Sequence, residues 1–141
     1  MSIRLTLGDW GTQCADARAV RYDVFVVEQK VPLEMETDEM DSLCLHAVAY
    51  DGEGNAVATG RLLPDGHVGR MAVLKTRRGQ GIGGAILEAL MEQARKRGDS
   101  AVILNAQTQA EPFYRRFDFV RVGEEFIEAG IAHIEMRHDF N

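Results

Sequence analysis

The spacing of hydrophobic positions changes several times along the chain, and each change marks an element. Residues 2–7 alternate Ile3, Leu5 and Leu7 with polar neighbours, which predicts a short first strand. Over residues 12–29, Ala17, Val20, Val24 and Val27 recur at helical spacing. Pro32 helps end that segment, because a residue before proline is biased away from helical backbone. Residues 34–41 hold five acids in eight positions and read as a solvated loop. Three strands follow over 45–50, 56–63 and 67–74, separated by the turn-rich stretches 51–55 and 64–66. Short turns between them predict an antiparallel meander.

The period then returns to that of a helix. Ile82, Ala85, Ile86, Ala89 and Leu90 form one apolar face, and Gly98 suits the C-cap. Residues 101–104 are continuously apolar, as in a strand buried on both sides. Thr108-Gln-Ala-Glu111 has the form of a capping box and predicts a short helix through Phe117. Closing strands are expected over 119–122 and 131–138. This order implies an α+β fold, a mixed and mostly antiparallel central sheet flanked by helices. At 141 residues the chain is long enough for one domain, 1–141, with a real core.

Charge narrows the function. Sixteen basic against 22 acidic residues give a net charge of −6, which argues against nonspecific nucleic-acid binding. No apolar run approaches the roughly 20 residues of a membrane span. The first ten residues lack a signal-peptide layout, so a cytoplasmic location is expected. Cys14 and Cys44 have no CxxC or His partner at metal spacing and are expected as free thiols, with no metal site. The charge is unevenly spread. Residues 66–87 carry Arg70, Lys75, Arg77 and Arg78 and no acid, so the rest of the chain sums to −10. Seven of the 14 glycines lie between Gly60 and Gly84, which marks this basic stretch as a candidate anion site.

Arg77-Arg78-Gly79-Gln80-Gly81-Ile82-Gly83-Gly84 joins a predicted strand to the best predicted helix. The first N–H groups of a helix have no internal partners, and its dipole presents about half a positive charge there. Glycines let a phosphate approach this backbone closely, and the arginines add charge. A tight turn flanked by surface arginines is the bland alternative. Gly79-x-Gly81-x-x-Gly84 also fits the dinucleotide fingerprint, with Asp99 twenty residues on. Asp99, however, precedes the next strand where it should end it, and the turn follows a meander in mid-chain. No Gly-Lys-Ser/Thr follows, which excludes a Walker loop.

Arg78-x-x-Gly81-x-Gly83 resembles the acetyl-CoA motif of the GCN5-related N-acetyltransferases (GNAT family), and like it follows a fourth strand. Asn105-Ala106-Gln107 and Phe113-Tyr114-x-x-x-x-Phe119 are similar to that family's later motif. Phe25-x-x-Glu28-Gln29-x-Val31-Pro32, with Glu36, Asp38, Asp41 and His46, resembles its ElaA-like branch. Asp118 stands where the family usually has glycine; Asp tolerates left-handed backbone better than most residues. The resemblance implies splayed fourth and fifth strands with pantetheine between them. It implies that the backbone of Met71, Ala72 and Val73 pairs with the pantetheine amides. Residues Gly79, Gln80, Gly81, Ile82, Gly83 and Gly84, with Arg78, would hold the pyrophosphate, and Arg77 the ribose 3′-phosphate. Asn105 would belong to the opposite wall. Tyr114 matches the tyrosine that faces the thioester sulfur, where its hydroxyl would act as general acid; packing with Phe113 and Phe117 is the alternative.

Glu28, at the end of the first predicted helix, is the candidate base or anchor for an acceptor amine, and Gln29 a further acceptor contact. Their alternative is a solvated helix end. The acidic run could attract a cationic acceptor. His46 is expected as a satisfied, half-buried histidine, while His67, His133 and His138 receive no role. The leading expectation is an acetyl-CoA-dependent N-acyltransferase acting on a primary amine by direct attack in a ternary complex, with a homodimer a fair family-level expectation. A non-catalytic acyl-CoA-binding module of the same fold is the alternative, and a nicotinamide oxidoreductase a distant third.

Overall fold

Asp9 starts the first helix. Its side chain accepts the Thr12 N–H at 3.0 Å, satisfying one of the free donors of α1 (Trp10–Arg21). In this computed structural model, which describes residues 3–36 and 38–140, the helix begins two residues earlier than its periodicity predicts and ends sooner. Beyond Arg21 the chain widens into a π-helical turn, Tyr22–Glu28, where the Gln29 N–H reaches back to the Val24 carbonyl at 3.0 Å. Over a single turn, apolar spacing cannot separate α from π winding. The consequence is visible at Val27, expected on the apolar face and in fact 51% exposed. The wider turn keeps Val24 inside and brings Phe25 and Gln29 to a cleft.

Among the described residues seven strands form one sheet, in the order β1-β2-β3-β4-β5-β7-β6. They are β1 (Arg4–Gly8), β2 (Leu45–Tyr50), β3 (Ala56–Leu62), β4 (His67–Val73), β5 (Ala101–Gln107), β6 (Val120–Glu128) and β7 (Ile131–Asp139). Ser2, expected in the first strand, lies outside the described residues. All pairings are antiparallel except β4 with β5. The long helix α3 (Ile82–Lys96) turns Ile86, Leu87 and Leu90 onto one face, against Ala58, Leu62, Leu104, Ile134 and Met136. On the opposite face, Val20 of α1 and Val24 of the π turn pack on Ala72. β3 is covered from both sides, so every residue from Val57 to Leu62 is buried, the polar Thr59 and Arg61 included.

Two local expectations change. The acidic stretch is structured: a short α2 (Leu33–Glu36) and a 3-10 turn, Glu39–Leu43, with Glu36 4% and Asp41 2% exposed. The capping box does not form. Thr108–Ala110 is a 3-10 turn without a side-chain cap, and α4 spans only Glu111–Arg115 with Pro112 in its first turn. Asp118 adopts φ +64°, so the left-handed turn before Phe119 is kept without glycine.

A cleft between diverging strands

β4 carries a bulge: Thr59 faces Ala72 and Arg61 faces Gly69, so Arg70 and Met71 together oppose Gly60. Arg70 takes φ +50° there. A bulge bends its strand and increases its twist. Pairing with β5 exists only before it, at His67 with Ile103 and Val68 with Leu104. Beyond Val68 the two strands part. The β4 backbone edge facing β5 is thereby left without a strand partner, and buried backbone groups need one.

The gap opens into a cleft of about 1020 Å³. Met71, Ala72 and Val73 line one wall; Asn105 lies on the other side of the splay. At one end lie Arg77, Arg78, Gly79, Gly81, Ile82, Gly83 and Gly84, and Tyr114 and Gln29 also face it. Of the residues expected at the site, only Glu28 and Gln80 do not line this cleft.

The glycines at the α3 end do different things. Gly79 and Gly81 have φ +80° and +81°, and a Cβ on either would meet nothing within 4 Å. Their conformation favours glycine, and the open space beside them gives an anion access to the α3 N-terminus. Gly83 and Gly84 serve packing: a Cβ on Gly84 would sit 2.9 Å from Cζ of Phe117.

Arg78 and Glu28 form a two-pronged pair, with Nη1 and Nη2 donating to the carboxylate at 2.6 and 2.7 Å. Arg78 Nε also donates to the Val73 carbonyl at 3.0 Å. The Arg78 hydrogen bonds hold the Glu28 carboxyl below its usual range. Glu28 itself faces a smaller neighbouring hollow with Val24, Leu74 and Lys75. A carboxylate so held is a weak proton acceptor, so the geometry opposes its expected role as base. Arg77 donates to Asp51 at 2.5 Å while still lining the cleft.

Tyr114 packs edge-on against Phe113, with ring centroids 5.0 Å apart. Burial pushes its hydroxyl up to about 12, so the phenol holds its proton at neutral pH. Gln29 exchanges hydrogen bonds with Gln107, whose Nε2 reaches Gln29 Oε1 at 2.9 Å; Gln109 donates to Gln107 Oε1 at 2.6 Å.

Another part of the cleft wall is an ionic cluster, of which Glu36, Asp38, Arg61 and Arg70 line the cleft. Arg21, 1% exposed, donates to Glu36 and, at 2.8 and 3.0 Å, to both Asp41 oxygens. Arg61 bridges Asp38 and Asp41, each at 2.8 Å. Arg70 completes it through the Glu36 carbonyl at 3.0 Å and Asp38 at 3.3 Å. His46 Nε2 meets the Asp41 carbonyl at 2.8 Å, and its ring lies against Trp10. Of the five acids expected to be solvated or to attract an acceptor, Glu36, Asp38 and Asp41 are instead partners of three arginines, while Glu34 and Glu39 remain exposed; His46 is satisfied, and more deeply buried than expected.

A family model described as an acetyltransferase (GNAT) domain matches residues 13–140. The chain belongs to the GNAT family. It is 47% identical over 131 residues to the uncharacterized N-acetyltransferase YjcF of Bacillus subtilis, an alignment covering 90% of this chain and 93% of that one. Among solved structures, an acyl-CoA N-acyltransferase from Pseudomonas aeruginosa is 32% identical with TM-score 0.86, covering 96% of this chain and 99% of the other. Escherichia coli ElaA is 26% identical with TM-score 0.86, covering 98% and 100%. The GNAT assignment makes the protein an acetyltransferase using an acyl-CoA donor. His133, to which the sequence assigned nothing, lines the cleft as well. Strand alternation puts it opposite Ile134 and Met136, away from the core, but only the β-register brings it beside Gln107.

Proposed function

We propose that the protein transfers an acetyl group from acetyl-CoA to a primary amine by direct attack in a ternary complex. One observation carries this reading: a single cleft is lined both by the glycine-rich N-terminus of α3 and by a half-buried tyrosine that keeps its proton. The pyrophosphate would lie on the N–H groups of residues 79–84 with Arg78 beside it, and Arg77 would turn to the ribose 3′-phosphate. The free β4 edge at Met71, Ala72 and Val73 would pair with the pantetheine amides, with Asn105 on the far wall. A β4 N–H would polarise the thioester carbonyl where negative charge develops in the transition state. Tyr114 would protonate the departing thiolate.

The acceptor would enter beside Gln29 and Gln107. Glu28 takes a positioning role in this reading: it holds Arg78 at the mouth of the phosphate site until the donor claims it. An acceptor-amine screen with acetyl-CoA, read as free thiol release, tests the proposal. Transfer to at least one amine is expected. Tight CoA binding with neither transfer nor thioester hydrolysis would instead make the protein a non-catalytic acyl-CoA-binding module.

A further inference from the structure

The amine must lose a proton before it attacks, and Glu28 is badly placed to take it. His133 offers what Glu28 lacks. It stands on β7 directly opposite Gln107 of β5 and Phe126 of β6, so all three side chains share the sheet face turned toward the acceptor side. It is 7% exposed and lines the cleft together with Gln29, Gln107 and Tyr114. Its ring stacks on Phe126 at 5.7 Å between centroids.

The decisive contact is at Nδ1, 2.7 Å from the Ile131 carbonyl. A carbonyl can only accept, so Nδ1 must carry the hydrogen. In the neutral ring Nε2 then bears the lone pair, and among the described residues no hydrogen bond ends on it. A tautomer fixed through one nitrogen, with the other left open to a cavity, is the arrangement of a proton acceptor. The ionisable surroundings are mixed. Glu135 shares its face of β7, Glu128 of β6 lines the cleft, and β5 presents the uncharged Gln107 and Asn105. From the far side come Glu36, Asp38, Arg61 and Arg70, already paired with one another, besides Tyr114 and Arg116.

We infer that His133 Nε2 is the general base that deprotonates the acceptor ammonium, an inference that rests on the transfer reaction proposed above. Nε2 takes one proton, leaving an imidazolium and a neutral amine. The nitrogen lone pair attacks the thioester carbonyl carbon, the C–N bond forms, and the carbonyl π pair moves to oxygen. On collapse the pair on oxygen reforms the C=O bond while the C–S bond breaks; sulfur leaves with the C–S bonding pair and takes the Tyr114 proton. The second surplus proton on nitrogen passes to solvent, from which Tyr114 is reprotonated, and the imidazolium releases its own.

Two measurements test this. The first is kcat/KM across pH for wild type and His133→Asn, with acetyl-CoA and an amine found by the screen. The variant is expected to lose about 10²- to 10⁴-fold in kcat, together with the acidic limb of the profile, while acetyl-CoA affinity is retained. The second reads the wild-type protein alone: nitrogen NMR of ¹⁵N-histidine-labelled protein, the ring assigned with His133→Gln. An unprotonated Nε2 in the neutral ring is expected. A proton on Nε2, or an unchanged pH profile in an active His133→Asn, overturns the role of His133 and leaves the transfer reaction standing. No transfer by wild type to any amine overturns both.

Discussion

Tyr114, like any phenol, keeps its proton at neutral pH, burial makes its phenolate costlier still, and the proton is there to donate to a departing thiolate. Tyr114→Phe should therefore lower kcat by about 10²-fold or more with acetyl-CoA binding unchanged. Steady-state kinetics beside calorimetry checks this, and equal turnover would remove Tyr114 from the acid role. Glu28 makes the opposite case. Its carboxylate is satisfied by Arg78 at 2.6 and 2.7 Å, in competition with any phosphate that Arg78 must meet. Glu28→Gln is expected to tighten CoA binding severalfold and to leave the pH profile of kcat in place. Weaker binding would mean that the pair orients Arg78 for the phosphate. The sequence brought out Arg78 beside the glycine turn, whereas Tyr114 came only from the family resemblance, since its spacing alone fits packing with Phe113 and Phe117 as well. His133 stayed hidden because its partners, Gln107 on another strand and the Ile131 carbonyl, follow from register and rotamer.

At the scale of elements, the site is where α3 begins and where β4 leaves β5. The start of α3 is built from glycines with separate duties. Gly81 needs its φ of +81°, and a side chain there would cost about 1–2 kcal/mol in backbone strain. Gly81→Ala is also expected to weaken CoA binding, since the added methyl enters the open space beside the helix end. Gly84→Ala should instead act on stability, by about 1–3 kcal/mol, because the methyl would press on the Phe117 ring. Thermal melts with and without CoA separate the two effects. The glycine turn and α3 were legible because a helix start and its apolar stripe are local. The β4 bulge was not, since no residue type near Arg70 announces that two positions will oppose one.

For the whole molecule, the Arg21–Glu36–Asp41–Arg61–Asp38 cluster ties the segment after the first helix to the sheet. Removing one partner leaves a buried charge uncompensated. Asp41→Asn is expected to cost about 3–5 kcal/mol, measured by denaturant unfolding. The pH dependence has a definite sign. The Arg61 hydrogen bond holds Asp38 near about 2, below its ordinary 3.8, and burial holds His46 below its ordinary 6.5. In both cases the unfolded chain binds protons first as pH falls, so stability is full above the ordinary value and declines below it. The melting temperature should begin to drop under pH 6.5 and fall more steeply under 3.8. A flat profile from neutrality down to pH 3.8 would deny His46 its part.

The opening pattern of polar and apolar positions determined most of the strands, the long helix α3, the α+β class and the basic glycine turn, because each depends on neighbours within a few residues. The net charge of −6 joined a basic stretch suited to phosphates with an acidic remainder whose purpose composition could not tell. Tertiary structure gave part of it a purpose: Glu36, Asp38 and Asp41 pair with arginines drawn from α1, β3 and β4. It also decided that Glu28 points to Arg78 and that His133 faces Gln107. Long-range pairing of charges and strand register brings together residues tens of positions apart, and no local periodicity encodes such meetings.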